Sequence, residues 1–252
     1  MIINVSAGHA PDGGIGSGAV GFCKESTEAR KIVPFVIDYL EKAGHTVYDC
    51  TCNMNVDRET CLKKIVKKHN EHKADLGVSI HLNCYKKTRT DGVTTGSEVL
   101  VLSESGDQFK MKAANRILNK LEDAGFKNRG IKERPGLYVL KYTNEPCILV
   151  EVYFCDDEDD YLLASDLGAK KLGKMIAEGI HGKSIDEHVV KAGDKVTAIQ
   201  ALKIRSSCKS DYVQLGSIYK GTVLPVLKVS GDYAMFADGL WVKCTEKCVK
   251  VH

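Results

Sequence analysis

Apolar and polar positions alternate with two different periods along this chain, and the period changes once. Up to about Gly182 short apolar runs interleave with longer stretches of helical spacing. Ile2–Ala7, Thr46–Cys50, Asp75–His81, Gly96–Ser103 and Pro146–Phe154 read as strands. Ser26–Ala43, Arg58–His72, Asp107–Ala124 and Asp159–Ile180 read as helices. In the first of these Ile32, Val33, Val36, Ile37 and Leu40 share one face, Pro34 predicts a kink or a late start, and Gly44 supplies the stop. Strands alternating with helices predict an α/β fold, with a mostly parallel sheet flanked by helices. Gly182–Asp194 is polar and aperiodic and reads as a linker. From Lys195 onward the runs are short and strand-like (VTAIQALKI, YVQL, TVLPVLKV, YAMFA, LWVKC), punctuated by Gly216, Gly221, Gly231 and Gly239. They predict a small C-terminal all-β barrel. The expected organisation is therefore a larger α/β domain over 1–181, a linker over 182–194 and a small module over 195–252.

Composition narrows the classes. A chain of 252 residues, 43% hydrophobic and 27% charged, has material for a sizeable core. A net charge of +3 without a clustered basic face argues against a nucleic-acid partner. No run is long and apolar enough to span a bilayer, so no membrane insertion is expected. The opening MIINVSAGH lacks the basic-then-apolar order of a secretory signal, which predicts a protein made in, and at first kept in, the cytoplasm. The 10 cysteines contain no C-x-x-C pair, and the close pairs Cys50/Cys52 and Cys244/Cys248 lack structural-zinc spacing. They read as reduced, mostly buried thiols, with no cysteine nucleophile singled out.

The candidate chemistry sits at strand ends. His9 follows the first strand and His81 ends the third; side chains at the carboxyl ends of neighbouring strands in an open α/β sheet converge on one crevice. Neutral imidazole is a common metal ligand, and a catalytic zinc needs a third protein ligand plus an open position. Glu25 and Glu28, at the start of the first helix, are both placed to provide it. Glu151 interrupts the apolar run CILVEVYF, where an unpaired carboxylate would cost several kcal/mol. Such a position raises a carboxyl pKa and suits a general base acting on water. Taken singly, each residue has a plain structural reading: a hydrogen-bonded histidine, an acidic first turn, a buried ion-pair partner.

Together these residues resemble the N-acetylmuramoyl-L-alanine amidase family in its zinc-dependent, type 3 form. The carrying motifs are Gly8-His9 after the first strand, the glycine-rich loop and glutamate before a long helix, Ser79-Ile80-His81-Leu82-Asn83, and Leu149-Val150-Glu151 followed by Val152-Tyr153-Phe154. The resemblance covers roughly residues 1–181. It implies zinc ligands His9, Glu25 and His81, catalytic Glu151, and the MurNAc–L-alanine amide of peptidoglycan as substrate; Glu25 is preferred to Glu28 because its distance to Gly44 fits the family. The opening departs from the family's GHGG: here it runs Gly8-His9-Ala10-Pro11-Asp12-Gly13-Gly14. Leu202–Ser207, Gly216–Val226 and Gly239–Val242 resemble a bacterial SH3-like (SH3b) wall-binding module, with the ending TEKCVKVH a departure. Trp241, Tyr212, Tyr219 and Tyr233 are candidates for its ligand face, and Trp241 equally for its core. An amidase with an SH3b module and no export signal resembles a phage endolysin, held in the host cytoplasm until a separate pore releases it to the wall.

Rival readings are weaker. Gly16-x-Gly18-x-x-Gly21 with Asp49 imitates a dinucleotide fingerprint, but lies too far beyond the first strand. His69 and His72 sit among lysines and read as a solvated helix face, and Asp156–Asp160 lacks the glycine and ligand spacing of a calcium loop. A zinc peptidase cutting the stem peptide and a non-catalytic wall-binding protein are the remaining alternatives.

Overall fold

The computed structural model describes residues 1–11, 16–85, 89–185, 190–245 and 248–251. The Asp12-Gly13-Gly14 segment of the first loop, residues 186–189 of the expected linker, and Glu246, Lys247 and His252 of the final tract lie outside the described residues. Backbone packing divides the chain into two units, Met1–Ile185 and Asp186–His252.

In the first unit, β1 (Ile2–Ala7), β2 (Thr46–Asp49), β3 (Leu76–Asn83), β4 (Ser97–Val101), β5 (Asn128–Glu133) and β6 (Cys147–Phe154) form one sheet of order β2-β1-β3-β6-β4-β5. β2, β1, β3 and β6 run parallel; β4 pairs antiparallel with β6, and β5 parallel with β4. The helices are α1 (Glu25–Lys42), α2 (Arg58–Asn70), α3 (Gln108–Asp123), α4 (Tyr138–Tyr142) and α5 (Glu158–His181). Pro34 lies within an uninterrupted α1, whereas α5 kinks at Gly168 (φ 72°), a backbone angle suited to glycine.

Strand alternation sorts the sheet into two faces. Ile3, Val5, Val78, Ile80, Val99, Ile148 and Val150 join Ile32, Val36 and Leu40 of α1, Ile117 and Leu121 of α3 and Leu172 and Ile176 of α5 in the main core. The opposite face has a smaller core, where Leu100 and Leu149 meet Cys61 and Ile65 of α2 and Val139 and Leu140 of α4. His69 belongs to this side. It is fully buried, with Nδ1 2.7 Å from Glu145 Oε1 and Nε2 3.1 Å from Ser6 Oγ, so the solvated-face reading is wrong for it. The reason is visible in α2: Cys61, Ile65 and His69 lie four residues apart on its inward side.

The second unit is antiparallel β. β7 (Lys195–Ala198), β10 (Val223–Pro225) and β14 (Val249–Val251) form a three-stranded sheet of order β10-β7-β14. β8 (Leu202–Arg205), β9 (Gln214–Ile218), β11 (Lys228–Ser230), β12 (Tyr233–Ala237) and β13 (Leu240–Lys243) form a five-stranded sheet of order β11-β12-β13-β8-β9. Its core gathers Val196, Leu202, Leu224, Val226, Ala234, Val242 and Val249. Trp241 is buried, Tyr219 is exposed, and the Arg205 guanidinium stacks 3.6 Å from the Tyr212 ring centroid and 5.1 Å from that of Tyr233.

Candidate active site

The site lies on the smaller-core face, at the carboxyl ends of β1 and β3. His9 ends the strand-to-loop turn with φ 63°, a left-handed angle costly for a residue with a Cβ. Arg30, from the second turn of α1, spans this turn: Nη1 donates to Gly8 O (3.2 Å), and Nη2 to His9 O (2.8 Å) and Cys52 O (2.7 Å). Glu25 is the first residue of α1 and is almost wholly buried.

These elements bring the three expected ligands to one point. Glu25 Oε1 lies 3.0 Å from His9 Nε2 and 2.9 Å from His81 Nδ1, and the two imidazole centroids are 4.9 Å apart at 76°. The backbone amides of Ala19 and Leu82 donate to the Glu25 carboxylate at 2.8 and 3.2 Å, and Ser79 Oγ lies 3.1 Å from His81 Nε2. Burial pushes the Glu25 carboxyl up, but hydrogen bonds from His81 and His9 outweigh it and hold the group well below the usual carboxylate range. Burial lowers the His81 pKa against the opposing pull of Glu25. An ionised carboxylate and two imidazoles with ligand atoms within 4.8 Å of one another suit a zinc ion.

Two glycines make the space. A Cβ on Gly8 would sit 2.0 Å from His81 Cε1, and one on Gly18 (φ 87°) 2.5 Å from Glu25 Oε2. Of the glycines that imitate a nucleotide fingerprint, Gly18 thus packs the loop against His9 and Glu25, while Gly16 lies against the Arg58 backbone and Gly21 against that of Cys155 and Asp156. Glu28 is elsewhere, paired with Lys31 at 2.7 Å.

Glu151 is the β6 residue in register with His81, and Glu98 of β4 is in register with Glu151 from the other side. Glu151 Oε2 is buried without a hydrogen-bond partner. Its burial, with the charges of Glu25 and Glu98 nearby, pushes its carboxyl well above the ordinary range. Glu98 differs: it accepts from Asn83 Nδ2 (2.8 Å), pairs with Arg129 Nε (2.8 Å) and Lys132 Nζ, and is held below the ordinary range because those cations outweigh its burial. His9, Glu25, His81 and Glu151 line one cavity of about 530 Å3. Its walls are Leu62 and Ile65 of α2 and Leu137, Tyr138 and Val139 at the start of α4.

The sequence reading missed Arg30 and Glu98. Arg30 carries no motif of its own, and Glu98 gains meaning only once β4 pairs with β6. The acidic run proves to be a connector: Asp157 caps α5, and Asp160 accepts from the amides of Gly96 and Phe154.

A sequence profile for the family described as N-acetylmuramoyl-L-alanine amidase matches residues 3–182. The chain belongs to that family. Among solved structures, the amidase unit is similar to the catalytic domain of the CD27L endolysin targeting Clostridia difficile, at 30% identity and a TM-score of 0.64, covering 74% of this chain and 99% of that one. An endolysin of Bacillus phage SPP1 is 30% identical over 182 residues, 71% of this chain and 64% of its own length. An uncharacterized protein of Clostridium perfringens is 33% identical over 234 residues, 86% of this chain and 67% of its own.

Proposed function

We propose that the amidase unit is a zinc hydrolase that cuts the amide between N-acetylmuramic acid and the L-alanine of the stem peptide, in the manner of an endolysin. The carrying observation is the single Glu25 oxygen shared by two imidazoles, with the Glu151 carboxyl on the adjacent strand of the same cavity. His9, Glu25 and His81 would hold the zinc, which supplies a lowered water pKa of about 7 and polarises the amide carbonyl. Glu151 takes the proton of the attacking water and returns it to the departing amine nitrogen. Its apolar surroundings keep its basicity high enough for that exchange near neutral pH. Ser79 orients His81, and Arg30 holds the His9 turn, as partners of metal ligands commonly do. The second unit serves as an SH3b-like module that keeps the enzyme on the wall, and the protein waits in the host cytoplasm until the membrane is breached.

The test is digestion of purified peptidoglycan by wild type and Glu151→Gln, with and without chelator, reading new ends by mass spectrometry. Stem peptides beginning with L-alanine, released only by metal-loaded wild type, are expected. New amino ends inside the stem would make the enzyme a peptidase. No release by a zinc-loaded protein would overturn the hydrolase reading and leave a wall-binding protein.

A further inference from the structure

Three cysteines that the hydrolytic chemistry leaves unused come from segments far apart in sequence but adjacent to the site. Cys84 directly follows β3, Cys155 directly follows β6, and Cys23 lies two residues before α1. The same three elements carry His81, Glu151 and Glu25. The ends of β3 and β6 are tied by the Cys155 amide, which donates to Asn83 O at 2.9 Å. Asp156 follows on, and its Oδ2 accepts from Cys84 Sγ at 3.2 Å and from the Tyr85 amide at 2.9 Å. One ligand atom from each of Cys84, Cys155 and Asp156 lies within 4.8 Å of the others.

We propose that Cys84, Cys155 and Asp156 form a second metal site, for a thiophilic divalent cation such as zinc, separate from the His9–Glu25–His81 centre. Two thiolates and a carboxylate are a fitting donor set for zinc, because soft sulfur ligands select such ions over magnesium or calcium. Donors about 2.0–2.3 Å from a tetrahedral zinc stand roughly 3.5 Å apart, so the observed spread closes by small side-chain rotations. Cys155 and Asp156 are buried while Cys84 is half-buried, which leaves an approach from the Cys84 side and a fourth position for water. Binding the cation forms two metal–sulfur bonds and releases the two thiol protons to solvent. The charge balances: two protons leave as the dication enters, so the site carries a single negative charge before and after binding.

Occupancy would clamp the ends of β3 and β6 a few residues beyond His81 and Glu151, fixing the spacing of those two side chains. Cys84 also lines the cavity of His81 and Glu151, but none of the three donors is a ligand of the first centre or its general base, so metal content reads this site separately from turnover.

The test uses the full chain, stripped of metal, fully reduced and reloaded with cobalt(II). Sulfur ligands give a near-ultraviolet thiolate-to-cobalt absorption that two histidines and a glutamate cannot produce. Wild type should bind two cobalt ions per chain and show the band. His9→Ala/His81→Ala should bind one and keep the band; Cys84→Ser/Cys155→Ser should bind one and lose it. Should the double serine variant fail to fold, Cys84→Ser alone is expected to weaken the band and the affinity of that ion. One cobalt per chain without the band in reduced wild type overturns the site. So does a band that survives in the folded double serine variant, or a Cys84–Cys155 disulfide in protein purified under reducing conditions.

Discussion

The two faces of the amidase sheet are made by the same strands and differ in what alternate positions present. On one face Val78, Ile80, Ile148 and Val150 meet three long helices and form a dry core. On the other, the intervening positions are Ser79, His81, Leu149 and Glu151, which face α2 and the five-residue α4 across a cavity. The first face earns the stability that lets the second carry a buried carboxylate without a partner and a histidine turn in a left-handed conformation. A strand that looks uniformly apolar can therefore serve two ends, provided its cover is incomplete on one side.

Substitutions that separate the faces sharpen this comparison. The largest effect on activity is expected from Glu151→Gln, which should cut the rate by about 10^2–10^4-fold. Because it replaces an unpartnered buried carboxylate with a neutral group, its melting temperature at pH 7 should stay level or rise. A clear drop in melting temperature would instead make Glu151 part of the framework. On the opposite face, Ile176→Ala should cost about 2–5 kcal/mol of unfolding free energy, with specific activity at low temperature intact. Denaturant titration beside turnover would show whether the faces are as separable as their packing suggests.

Smaller effects probe the support around the site. Arg30→Gln removes the donors that hold the Gly8–His9 turn and should weaken zinc retention about 10–100-fold, read by competition with a chromogenic chelator. The pH profile should follow Glu151. Its folded pKa is raised, so the carboxyl holds its proton until the pH climbs above the ordinary carboxylate range, and the rate falls as pH drops through that raised value. In the metal-free protein the same shift has the opposite sign for stability: the contribution is fully present below the unfolded pKa of about 4.3 and is lost as pH rises through the folded value. An acidic limb at an ordinary carboxylate pKa would contradict the buried-base reading. The smallest change belongs to Glu28→Gln. Its exposed pair with Lys31 is worth about 0–1 kcal/mol at most, and zinc content should not move. Loss of zinc there would reverse the choice between Glu25 and Glu28.

The parts of this molecule legible in sequence are those whose periodicity is long or whose residues are chemically unusual. β1, β3, β6 and the four longer helices announce themselves by apolar spacing, and His9, His81 and Glu151 by standing at strand ends or inside apolar runs. β5 escaped because NRGIKE, at the edge of the sheet, is half-buried up to its exposed last residue and shows no clean alternation. α4 escaped because five residues are too few to display a helical period. His69 was misread because flanking lysines masked an inward stripe that Cys61 and Ile65 already traced. The sulfur cluster was invisible for a different reason: cysteines at 84 and 155 become neighbours only when β3 and β6 pair, and local spacing carries no trace of that.

Gly8 has a consequence for how this protein can change over generations. The His81 ring occupies the place where a side chain at position 8 would begin, so the constraint is one of volume rather than backbone angle. Every other amino acid brings the atom that collides. A glycine codon at this position can therefore drift only among its synonyms, because any altered residue evicts the imidazole. Directed-evolution libraries should hold position 8 fixed and vary the cavity walls contributed by α2 and α4, where side-chain size can alter substrate preference without displacing the histidines.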